Sequence, residues 1–134
     1  MIRSIVMVFV GGGLGSVVRF SLGRWINSLH THHFPLGTLL ANIFACFILG
    51  LVIGLADHRQ LFSPNARLFW TVGFCGGFST FSTFSQETLY LLQGGFSLST
   101  LIYVIFSLLF CVAAVYVGLF AGEHLKTYTS PKCV

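Results

Sequence analysis

A chain of 134 residues with 55% hydrophobic and only 7% charged residues is too apolar for a soluble domain of its size. Its net charge of +4 would suggest nucleic acid in a soluble protein, but the Lys and Arg residues lie at the ends of apolar stretches and form no cluster. Composition therefore excludes a soluble enzyme or nucleic-acid-binding domain and points to a protein whose outer surface meets lipid.

A bilayer core takes roughly 20 helical residues to cross, and four such stretches follow one another, separated by short polar connections. The first, from about 2 to 26, opens with Arg3 and an apolar run that could pass for a signal peptide. Gly11-Gly12-Gly13 and Arg19 continue the span where a cleavage site would fall, so it is expected to stay in the mature protein. Gly11, Gly15, Arg19 and Gly23 step by four, setting a guanidinium beside glycines that admit a second backbone. An arginine at that depth needs a partner or a route to the interface.

The connection from Asn27 to Pro35 holds three of the five histidines. They lack carboxylate or thiol partners at ligand spacing, which favours a solvated loop over a metal site. The second span, about 36 to 56, has no charge within it, and Thr38, Asn42, Cys46, Gly50 and Gly54 form one small, polar stripe. Two readings stay open: close helix packing with Asn42 as interhelical glue, or an Asn42 amide offered to a passing solute. The next connection runs from Asp57 to Asn65 and ends in Ser-Pro-Asn.

The third span, about 67 to 92, contains Gly73-Phe74-Cys75-Gly76-Gly77-Phe78-Ser79-Thr80-Phe81-Ser82-Thr83-Phe84-Ser85. Its glycines weaken the helix, and unwound backbone at membrane depth survives only where protein or a bound ion satisfies it. Ser79, Thr80, Ser82 and Thr83 can cap the resumed helix. A broken helix at mid-membrane presents carbonyls to cations and amides to anions. Phe81 and Phe84 project from one face beyond the break, either as packing or with ring edges toward an anion. Glu87 is the one acid well inside a span.

Gln93-Gly94-Gly95 reads as a tight turn, and the fourth span, about 98 to 121, carries Tyr103, Ser107, Cys111 and Gly118 near one face. Ser107 either bonds back to its own helix or donates outward, and Tyr103 is alternatively an interfacial anchor. Cys46, Cys75, Cys111 and Cys133 show no close pair in sequence and signal neither a zinc site nor a disulfide framework. Arg3, Arg59, Arg67, Lys126 and Lys132 outnumber Arg19 and Arg24 on the opposite side, which mildly favours cytoplasmic termini and leaves both orientations open. Four helices enclose too little to line a pore, so a second copy is expected.

Gly11-Gly12-Gly13-Leu14-Gly15-Ser16-Val17-Val18-Arg19, Gly37-Thr38-Leu39-Leu40-Ala41-Asn42 and the run from Gly73 to Phe84 together resemble the Fluc (CrcB) fluoride channels along the whole chain. The resemblance implies an all-α membrane protein of four transmembrane helices with the third broken, forming an antiparallel, dual-topology homodimer. It implies passive export of fluoride with no enzymatic chemistry, from a bacterial inner membrane. Phe81 and Phe84 would be aromatic rungs and Asn42 a donor; Thr38, Thr83, Tyr103, Ser107 and Glu87 would line or support the pathway, with Arg19 at a vestibule. A structural sodium ion would be held at the dimer centre by the backbone carbonyls of Gly76 and Ser79. Ser79 stands where the family usually has Thr, which a carbonyl ligand tolerates, and Cys111 stands where a hydroxyl is more usual. A small dual-topology multidrug or cation exporter shares the span count but needs a membrane carboxylate, which the first span lacks. A non-transporting membrane assembly protein would leave the broken third span without a purpose.

Overall fold

The computed structural model describes residues 1–29, 34–59 and 62–128, and the described residues are helical apart from short connections. Helix α1 runs Ile2–Leu29 and α2 runs Leu36–Arg59. Helix α3, Pro64–Leu68, continues through a π-helical segment, Phe69–Cys75, into α4, Gly76–Phe78. Helix α5 is Phe81–Gln93 and α6 is Ser97–Tyr128. Three helices, Ile2–Leu29, Leu36–Ala56 and Ser97–His124, are long and apolar enough to cross a membrane. The histidine cluster at 30–33 and Cys133 lie outside the described residues.

Local chemistry sets the ends of these elements. Ser63 caps α3 by accepting the Ala66 amide at 3.2 Å, and Pro64 occupies the first turn, where its missing N–H costs nothing. The Ser-Pro-Asn sequence expected in a connection thus opens a helix. Between α5 and α6 the Phe96 amide donates to Leu91 O and the Gly95 amide to Leu92 O, with Gly95 at φ 79°. That pairing closes the helix with a glycine in the left-handed region.

Two parallel helix pairs organise the chain. Glycines bring α1 against the third segment: a Cβ on Gly11 would lie 2.5 Å from Phe69 O, and Cβ atoms on Gly15 and Gly77 would collide with Phe74 O and Gly12 O. The glycines expected to unwind the third segment therefore stay helical, Gly73 and Gly77 serving close packing while Gly76 is open; the break falls after them. Among the described residues, the contact between α2 and α6 is the most extensive. Gly50 abuts Val115 O and Gly54 abuts Leu119 O, a register of sixty-five positions between parallel helices. The same offset sets Thr38 beside Tyr103, Asn42 beside Ser107 and Cys46 beside Cys111, so the polar stripes of the two helices face each other.

Small interior clusters bind the pairs: Ala41, Ala45 and Phe78 with Phe74 and Leu22, and Leu39, Leu91 and Tyr103 with Phe84 and Phe34. Large apolar side chains face outward along α1 and α6, among them Phe9, Phe20, Leu109 and Val112. This arrangement suits lipid or a second protein surface, not water.

Candidate functional site: a cleft beside the broken third segment

The third segment stops being helical at Ser79 and Thr80, whose ψ angles of 156° and 118° are extended. Polar side chains define this break. Thr80 caps α5 by accepting the Thr83 amide at 3.3 Å, and its hydroxyl also meets that of Thr83 at 3.0 Å. Ser79 donates its hydroxyl to Cys75 O at 2.8 Å. From α2, Asn42 Oδ1 accepts the Thr80 amide at 2.7 Å while its Nδ2 donates to Thr80 O at 3.2 Å. Both readings of Asn42 drawn from the sequence are thereby narrowed: it is glue, but glue for the break, and one amide proton is left over.

These bonds also divert two donors. In an unbroken helix the Thr80 amide would close on Gly76 O and the Thr83 amide on Ser79 O. Asn42 and the Thr80 hydroxyl take those amides instead.

A cleft of about 250 Å³ lies alongside, lined by Asn42, Cys46, Ser79, Thr80, Phe81, Phe84, Ser107 and Cys111 with two apolar neighbours on α6. The Phe81 and Phe84 rings sit 5.6 Å apart at 37°, and Phe84 lies 5.1 Å from the ring of Tyr103. Phe84 is half-buried, whereas Phe81 is 77% exposed on the surface of the chain. Ser107 is buried, and its hydroxyl has no hydrogen-bond partner, so it does not bond back to its own helix. Tyr103 is wholly buried and is not an interfacial anchor.

Beyond Phe84, Glu87 is held from both sides. Thr38 donates to Oε1 at 2.8 Å and Tyr103 to Oε2 at 2.8 Å. A second, larger cavity of about 610 Å³ is lined by Arg19, Arg24, Asn27, Thr38, Thr80, Thr83 and Glu87. Arg19 is half-buried there, and its Nε has no partner. The break thus separates two spaces, one lined mainly by rings and small polar groups, the other by two guanidinium groups and one acid.

Sequence reasoning singled out Asn42, Thr38, Phe81, Phe84, Thr83, Tyr103, Ser107, Glu87 and Arg19, and all of them fall on these two cavities or on the hydrogen bonds between them. It named Thr80 only as one of four candidate caps, the one the structure selects, and it missed both the Asn42–Thr80 clasp and the juxtaposition of Cys46 and Cys111. The matching four-residue steps on α2 and α6 were the available signal; their register was not.

The family model described as CrcB-like protein, Camphor Resistance (CrcB) matches residues 6–119. The Fluoride-specific ion channel FluC 1 of Methanosarcina acetivorans is 38% identical over 125 residues, covering 93% of this chain and 95% of the relative. The Fluoride-specific ion channel FluC of Serratia proteamaculans is 47% identical over 95 residues, covering 71% of this chain and 74% of its own length. That of Azobacteroides pseudotrichonymphae is 37% identical over 123 residues, covering 92% and 98%.

Proposed function

This chain belongs to the CrcB family, and from that membership we infer that it is a fluoride-specific ion channel and not an enzyme. One observation in its own residues carries the reading furthest. The buried, unpartnered Ser107 hydroxyl and Asn42, which keeps one amide proton spare, line one cleft with Phe81 and Phe84. Fluoride is small and strongly hydrated, so it leaves water only for donors placed at close range. A hydroxyl, an amide and the positive edges of two rings supply attraction without the grip of a full positive charge, which lets the ion leave again. Arg19 at the wide cavity attracts anions toward the narrow passage. Transport is passive and follows the ion's gradient and the membrane potential.

A single subunit leaves this cleft open on its surface, with Phe81 uncovered. Each chain would cross four times, the broken third segment being one crossing, and a second copy in antiparallel orientation would cover Phe81 and join the two breaks, giving a dual-topology homodimer in the inner membrane. Gly76 O and Ser79 O, deprived of their usual amide donors, suit a hard monovalent cation such as sodium at that junction. When bound, sodium would supply the positive charge these carbonyls lack; the residues themselves set the bend that exposes them. The exporter reading is not favoured, because both oxygens of Glu87 are already engaged by Thr38 and Tyr103.

The test is efflux from potassium-loaded liposomes after adding valinomycin, followed with a fluoride electrode and compared with chloride. Fast fluoride efflux without chloride is expected, falling by about tenfold or more in Phe81→Ile. Demonstrably folded, dimeric protein that releases no fluoride would overturn the reading.

A further inference from the structure

The α2–α6 register that aligns Gly50 with Val115 and Gly54 with Leu119 brings Cys46 opposite Cys111 one turn earlier. Both side chains line the same cleft, with Asn42, Ser107, Phe81 and Phe84. Cys75 is buried in the π-helical segment and does not line that cleft. Among the described residues no group of three His, Cys, Asp or Glu side chains could share an ion, so a tetrahedral zinc-type site is incomplete here. Two thiols facing each other instead suit a soft d¹⁰ ion that is content with two sulfur ligands. Charge selects further. Two thiolates and one divalent ion make a neutral unit, whereas a monovalent ion would leave a net negative charge among apolar side chains, which is costly.

We propose that Cys46 and Cys111 form a two-sulfur site for a soft divalent cation of the mercury(II) type, whose binding bridges α2 to α6 and obstructs the cleft. Two S–H bonds break, two S–metal bonds form, and two protons pass to water, with no change of oxidation state. The obstruction rests on the fluoride-channel reading; the site itself does not.

The experiment uses the full chain in a Cys75→Ala, Cys133→Ala background, so that these two thiols alone remain. Mercuric chloride is titrated against it, with maleimide labelling to count free thiols and fluoride efflux from liposomes as a separate readout. One equivalent should protect both thiols, reduce efflux about tenfold or more and be reversed by dithiothreitol, while zinc at equal concentration does neither. Cys46→Ala and Cys111→Ala should each raise the mercury concentration needed by about tenfold or more, because one sulfur holds the ion less firmly than two. Binding of two mercury ions per chain, protection of one thiol only, or equal sensitivity of the single-cysteine variants would overturn the site. Both thiols protected with efflux undiminished would overturn the obstruction. Background protein that protects both thiols with one equivalent, yet carries no fluoride before mercury is added, would uphold the site and sink the channel reading.

Discussion

Asn42 and Thr80 clasp each other at two points, Oδ1 accepting the Thr80 amide at 2.7 Å and Nδ2 donating to the Thr80 carbonyl at 3.2 Å. A side chain on α2 thereby satisfies both backbone groups of the residue at which the third segment changes direction. Outside a helix those groups would otherwise have no partner in the fold, so Asn42 is what stabilises the break.

Removing that clasp should damage the fold and the passage together. Asn42→Ala leaves the Thr80 amide and carbonyl unpaired, at about 1–3 kcal/mol for each group. Asn42→Asp keeps an acceptor for the amide but sets a charged oxygen against the Thr80 carbonyl and adds a charge within the bilayer. Both variants should unfold at lower temperature than the parent in detergent, and Asn42→Asp should also lose fluoride efflux. An unchanged melting temperature for Asn42→Ala would show that the clasp is not what holds the break.

Glu87 gives a graded test of the Thr38–Glu87–Tyr103 chain. Glu87→Gln keeps one acceptor oxygen, and its amide can donate to whichever hydroxyl rotates to accept, so most of the chain survives. Glu87→Leu strands both hydroxyls, including that of the wholly buried Tyr103, at about 1–3 kcal/mol each. Stability in a denaturation series should therefore fall in the order parent, Gln, Leu. Equal behaviour of the Gln and Leu variants would mean that the two 2.8 Å bonds contribute little.

Much of this was legible from residue types alone, for reasons particular to a membrane. Water is absent there, so a run such as Gly73 to Phe84 has few structural outcomes, and polar residues every fourth position on α2 and α6 must find one another. What the sequence could not convey was which of several unwinding candidates gives way. Gly73 and Gly77 favour disorder in isolation, yet α1 presents Gly11 and Gly12 to them, and close backbone packing keeps them helical. The break moves to Ser79 and Thr80, where side-chain oxygens and Asn42 replace the lost helical bonds. Both the glycine match and the α2–α6 register are relations between distant segments, and no local pattern encodes them.

The diverted amides of Thr80 and Thr83 yield a prediction about sodium. If Gly76 O and Ser79 O hold that ion across two subunits, exchanging sodium for the bulky N-methylglucammonium cation should lower the melting temperature and loosen the dimer, and restoring sodium should reverse both. Thr80→Val removes the hydroxyl that takes the Thr83 amide and lets that amide return toward Ser79 O, so it should weaken the sodium dependence. Sodium-independent stability in the parent protein would reject the carbonyl site while leaving the break itself untouched.

Glycines at the α2–α6 contact should respond to a methyl group in a way that separates packing from helix propensity. A Cβ on Gly50 would collide with Val115 O, and one on Gly118 with Phe47 O; both obstacles are backbone atoms that cannot rotate away. Gly50→Ala must therefore push the two helices apart along the same register that sets Thr38, Asn42 and Cys46 against Tyr103, Ser107 and Cys111. A Cβ on Gly23 meets nothing within 4 Å, so Gly23→Ala should gain the ordinary helical advantage of alanine, about 0.5–1 kcal/mol. Gly50→Ala should instead lose about 1–3 kcal/mol to overpacking and should reduce fluoride efflux by widening the donor spacing on the cleft wall. Thermal unfolding of the two variants side by side decides the matter. Equal and favourable shifts would mean that α2 and α6 are less closely packed than their carbonyl contacts require, and that the facing polar stripes are held by some other part of the fold.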